Sequence, residues 1–89
     1  MPQRRRDPAW AVPVGVLRAV RSARGILISS HTALDGDAVG SELALLIGLE
    51  RLGIPACIVN QDPIPGIYRF LPRVDDAHHL PVRVPLPGF

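Results

Sequence analysis

From Pro13 the apolar residues Val14, Leu17 and Val20 recur at helical spacing, while Arg18, Arg21 and Ser22 fall on the opposite side. Pro13 suits a first helical turn, so the pattern predicts a short amphipathic surface helix ending near Gly25. Ile26-Leu27-Ile28 follows, flanked by Gly25 and Ser29 and β-branched at both ends, the signature of a strand buried on both faces. A polar turn, Ser30 to Asp37, leads into a second periodic stretch. From about Ala38 to Leu52 the residues Val39, Leu43, Leu46 and Ile47 form one stripe, and Leu45, Leu49 and Leu52 widen it almost around the helix. Only Glu42, Glu50 and Arg51 clearly need water there, and Gly53 supplies a left-handed stop. Ala56-Cys57-Ile58-Val59-Asn60 reads as a second buried strand, Asp62 to Gly66 as a loop, and Ile67 to Leu71 as one further helical turn.

Strand, helix and strand within so short a span form a parallel crossover unit. The expected class is α/β, the start of a parallel, doubly wound sheet in the order helix, strand, helix, strand. Two strands and two helices cannot cover both faces of such a sheet, so the domain is expected to be incomplete. Residues 1–11, with Pro2, Arg4-Arg5-Arg6 and Asp7-Pro8, read as a disordered basic leader that also holds Trp10. Residues 12–72 form the domain portion. Beyond Pro72 no clean period survives, and Pro81, Pro85 and Pro87 deny residues 73–89 a central-strand role, leaving an irregular proline-rich tail.

Charge and composition narrow the function. Ten basic residues, all arginine, against eight acidic give +2, too little to infer nucleic-acid binding from charge alone. One cysteine, Cys57, excludes an internal disulfide and fits a reducing cytoplasm; its apolar neighbours make it a small core residue. No apolar run approaches the roughly 18 to 20 residues that cross a bilayer, and no small-x-small cleavage site follows the opening arginines.

The informative stretch is Ser29 to Ser41, where the first strand ends and the long helix begins, the edge at which open α/β sheets bind ligands. His31, Asp35 and Asp37 form a nitrogen and oxygen cluster suited to manganese, magnesium or iron. Gly36 between the two acids lets the backbone turn sharply so that both point into one space, and the helix N-terminus beyond them suits a phosphate. Asp-Gly-Asp before a helix is equally an ordinary turn, with Asp37 capping and Gly36 bending.

The string His31-Thr-Ala-Leu-Asp35-Gly-Asp37-Ala-Val-Gly40-Ser41, with the preceding Ile-Leu-Ile-Ser-Ser and the leucine-rich helix, resembles the first motif of the DHH (DDH-domain) phosphoesterase family. The resemblance is to its branch of bacterial nanoRNases and 3'-phosphoadenosine 5'-phosphate phosphatases, the bifunctional oligoribonucleases. Val59-Asn60-Gln-Asp62-Pro63-Ile-Pro65 and Tyr68-Arg-Phe70-Leu71-Pro72 also resemble that branch, so the match covers residues 25–72. Leu34 stands where the family usually has proline. The resemblance implies a cytoplasmic, metal-dependent hydrolase of short RNA or a nucleotide phosphoester, with homodimers open to the complete enzyme. It implies that His31 and Asp35 bind one Mn2+ and Asp37 a second, with Mg2+ as the alternative ion. Ser41, read from its place in the sequence alone, either donates to a phosphate or merely sits in the first helical turn. The family's later Asp-His-His motif is only superficially echoed by Asp75-Asp76-Ala77-His78-His79, and its second domain is not found, so the chain is expected to be inactive alone.

Other residues carry less. His78-His79 reads as a solvated turn, Asp62 as a loop cap, and Tyr68 and Phe70 as packing the loop down. Gly40 is expected to allow close approach near a ligand. The alternative function is a non-enzymatic fragment that docks its apolar helix and strands on a partner.

Overall fold

The computed structural model describes residues 11–86; the basic leader with Arg4, Arg5, Arg6 and Trp10, and the last three residues, lie outside the described residues. The chain is α/β. Helix α1 spans Val14–Ser22, strand β1 Ile26–Ile28, helix α2 Gly36–Arg51, strand β2 Ala56–Asn60 and strand β3 His78–His79, with single 3-10 turns at Gly66–Tyr68 and Val74–Asp76. The three strands lie in the order β1-β2-β3 and run parallel, with Ile26 opposite Ala56, Ile28 opposite Ile58, and Val59 opposite His78.

The core lies between α2 and one face of the sheet. Val39, Leu43, Leu46 and Leu49 of α2 pack with Ile28, Ala56 and Ile58, and Leu34, Ile54, Ile64 and Val74 close the rim. Gly53 ends α2 at φ 76°, the left-handed geometry its position demands. At the far end of α2 the Arg73 guanidinium grips the Glu50 carboxylate through both terminal nitrogens and reaches Asp76 through Nε. This fork ties the segment before β3 to α2.

Expectations change at β1, at α2 and at residues 74–79. Strand β1 is not buried on both faces: the period of two sends Leu27 away from Ile26 and Ile28, and it is 53% exposed. Helix α2 is covered on one side, since Leu45 and Leu52 remain open to solvent, whereas Glu42 is buried at 4% exposure. Residues 74–79, expected to be irregular, carry a 3-10 turn and β3, so His78-His79 is an edge strand and not a solvated turn. Its ladder with β2 is two residues long, too short to leave a period in the sequence. Helix α1 is a surface helix with none of its residues buried, touching the core only through Val20. Among the described residues no helix is long and apolar enough to cross a membrane.

Candidate functional site

Chemistry-bearing residues gather where β1 and β2 end and α2 begins. Helix α2 starts at Gly36, two residues earlier than its periodicity suggests, because Asp35 and not Asp37 is the N-cap. Asp35 is extended, and its Oδ1 accepts from the Ala38 N–H at 2.8 Å, satisfying one of the helix's open donors. Gly36 is already helical, and the left-handed residue of the loop is Ala33, at φ 55°. The chain therefore reverses at Ala33, where a side chain carries the strain.

The N-cap leaves Asp35 Oδ2 free, and it faces His31 Nε2 at 3.9 Å. His31 Nδ1 lies 2.6 Å from the Thr32 carbonyl oxygen. A carbonyl only accepts, so Nδ1 holds a proton and donates it, and Nε2 is the ring atom turned toward Asp35. Metal-binding histidines are commonly oriented in this way, one ring N–H on a carbonyl and the other nitrogen open. The two side chains are 60% and 62% exposed, so a solute can reach both.

Asp37 does not join them. It occupies the first turn of α2, is exposed, and follows Asp35 by two residues, which turns it to the opposite side of the helix axis. Among the described residues no three His, Cys, Asp or Glu side chains gather in a way that could hold a metal ion. The structure thus pairs His31 with Asp35 and leaves Asp37 apart. Ser41 is exposed further along α2. Gly40 has nothing within 4 Å of where a Cβ would stand, so the close approach expected there is absent. Gly36 does have a neighbour: the Tyr68 ring comes to 3.5 Å of its Cβ position. Tyr68 therefore packs the loop after β2 against the start of α2, as expected, whereas Phe70 is 80% exposed and packs nothing down.

Beneath this edge lies a polar pair that the sequence reading passed over. Asn60, the last residue of β2, is 1% exposed; its Nδ2 donates to Glu42 Oε1 at 3.0 Å, and its Oδ1 accepts from the Ser30 N–H at 3.3 Å. Glu42 Oε2 and the Ser30 hydroxyl are buried without hydrogen-bond partners. Burial pushes the Glu42 carboxyl above the usual carboxylate range, against the opposing pull of the hydrogen bond from Asn60. The signal was present: Glu42 follows Val39 by three and precedes Leu46 by four, on the buried stripe, and Asn60 follows Ala56 and Ile58 at period two.

A cavity of about 220 Å³ lies elsewhere, lined by Leu46, Glu50, Cys57, Arg73, Asp76 and His78 among others. Cys57 is buried, and burial pushes its thiol up, away from the reactive thiolate. A comparison of the chain with protein-family models, with curated proteins and with solved structures returned no match.

Proposed function

We propose that residues 30–41 form part of a divalent-cation site in a phosphoesterase of the DHH type, acting on short oligoribonucleotides or 3'-phosphoadenosine 5'-phosphate. One observation carries this reading: His31 Nε2 and Asp35 Oδ2 face each other at 3.9 Å, both reachable by solute, while the second polar atom of each side chain is committed to the backbone. A mixed nitrogen and oxygen pair fits manganese, with magnesium as the alternative. Such an ion, when bound, polarises a phosphoryl oxygen and lowers the pKa of a water.

The chain's own residues do the rest. His31 and Asp35 hold the cation at the carboxyl edge of the sheet, and the open N–H groups of α2 favour the phosphate's charge. Ser41 donates to a phosphate oxygen, while Asp37, turned to the other side of α2, stays outside the pair that holds the cation. A pair of octahedral ions needs about a dozen donor positions, far more than these residues fill, so hydrolysis of a dinucleotide by this chain alone is expected to be undetectable.

Manganese titration followed by electron paramagnetic resonance tests the reading. Asp35→Asn keeps an N-cap acceptor and removes the charge, so the helix survives while affinity falls at least about tenfold. His31→Ala should do the same. Equal affinity in parent and both variants removes the cation site.

A second reading rests on the exposed apolar residues Leu27, Leu52, Ile67 and Phe70. In that reading the chain is a non-enzymatic interaction fragment.

A further inference from the structure

Helix α2 places one carboxylate on the stripe that faces the sheet. Glu42 is 4% exposed among Val39, Leu43 and Leu46, and among the described residues no salt bridge reaches it. A leucine would fill this position at less cost, because a buried carboxylate without a cation loses its hydration. Its geometry shows what it does instead. Oε1 accepts from Asn60 Nδ2, and that bond fixes which way round the Asn60 amide stands. Only in that orientation does Asn60 Oδ1 meet the Ser30 N–H, the last backbone donor before His31. Glu42 Oε2 and Ser30 Oγ lie buried at the same place, both without partners.

We propose that Glu42 is a positioning residue: through Asn60 it holds the carboxyl end of β1, and so sets where the His31 ring stands against Asp35. Remove the acceptor, and the buried Asn60 NH2 is left without a partner, so the side chain leaves its place to find one and the anchor on the Ser30 N–H is lost. Ser30 then drifts, and the Nε2 to Oδ2 approach is lost. The functional consequence rests on the reading of His31 and Asp35 as cation ligands; the positioning itself does not.

The test compares the whole chain, isotope-labelled and free of metal, with Glu42→Gln and Glu42→Leu by nuclear magnetic resonance. Gln retains an acceptor, so the His31 ring resonances and the Asn60 side-chain amide should stay where they are. Leu keeps the volume and the helix propensity, so the methyl resonances of Val39 and Ile58 should hold while the His31 ring resonances shift. Hydrogen exchange at the Asn60 side-chain amide should then rise about tenfold, the loss of one buried hydrogen bond. A residue that merely filled the core would be replaced by leucine without moving His31, and that result overturns the proposal. Should Glu42→Leu fail to fold, Asn60→Ala cuts the same chain from the strand side, and an unmoved His31 ring there overturns it equally. Failure of the parent chain to bind manganese would remove the cation reading alone, because the His31 resonances are read without metal.

Discussion

Glu42 carries a pH signature of its own. Burial raises its carboxyl in the folded chain, so above the usual carboxylate range the folded state keeps a proton that the unfolded state releases. Its contribution is complete below that range and is lost as pH rises through the raised value. Glu50 runs the other way: the hydrogen bonds from Arg73 hold its carboxyl low, so its contribution is present above the usual range and lost as pH falls through the lowered value. The two windows lie on opposite sides of the usual range. Thermal melts of the parent should therefore lose stability as pH climbs above that range, and Glu42→Gln, which cannot ionise, should lack that loss while keeping the acid-side one. Identical profiles would mean that the Glu42 carboxyl binds its proton equally well in the folded and unfolded chains. At this scale the sequence singles out His31 and Asp35, whose residue types announce chemistry and which the fold brings within 3.9 Å, and it misplaces Glu42, where residue type was allowed to outweigh position. Helical spacing puts Glu42 on the buried stripe, but a carboxylate is normally assigned to water. Only a hydrogen-bond partner on another element, Asn60 at the end of β2, makes the burial intelligible.

The two ends of α2 are set by different kinds of residue, and glycine substitutions separate them. At Gly53 the backbone is left-handed at φ 76°, with open space where a Cβ would stand, so Gly53→Ala costs backbone strain alone, about 1 kcal/mol. At Gly36 the backbone is helical and the Tyr68 ring at 3.5 Å makes an ordinary contact with an added methyl. Gly36→Ala should therefore leave stability unchanged or raise it by about 0.5 kcal/mol through the unfolded chain's lost freedom. Denaturant midpoints measure both. A large loss in Gly36→Ala would restore Gly36 as the bend that the Asp-Gly-Asp string suggests. Elements α1, β1, α2 and β2 are legible because apolar period and glycine stops agree over several residues. Strand β3 is not, because His78 and His79 pair with β2 through backbone groups, which any residue supplies. The reversal at Ala33 was equally invisible, since alanine carries no preference for a left-handed backbone.

For the whole molecule the open question is what meets its uncovered apolar surface. A chain this small buries only about 60% of the surface its unfolded form exposes, so single exposed apolar residues are expected. Here they include Leu27 on the sheet face opposite α2, Leu45 and Leu52 on α2, and Val14, Val16 and Leu17 on a helix with none of its residues buried. The ion pairs do not compensate, since Arg73, Glu50 and Asp76 are substantially exposed and such pairs contribute little each. The fold is thus held by the single core between α2 and the sheet, and the two functional readings diverge on its other surfaces. If those surfaces serve the cation-dependent enzyme, the isolated chain should sediment as a monomer or as a broad, ill-defined aggregate. If they form an interface between copies, it should sediment as one defined oligomer whose population rises with concentration and ignores manganese. Replacing Leu27 and Leu52 with serine tests the same point from the surface side. It should sharpen a monomer peak without lowering the melting temperature in the first case, and dissolve the defined oligomer in the second. Sedimentation velocity with and without manganese decides between them, and a sharp metal-insensitive oligomer that the Leu27 and Leu52 replacements dissolve would favour the interaction reading even if His31 and Asp35 keep their places.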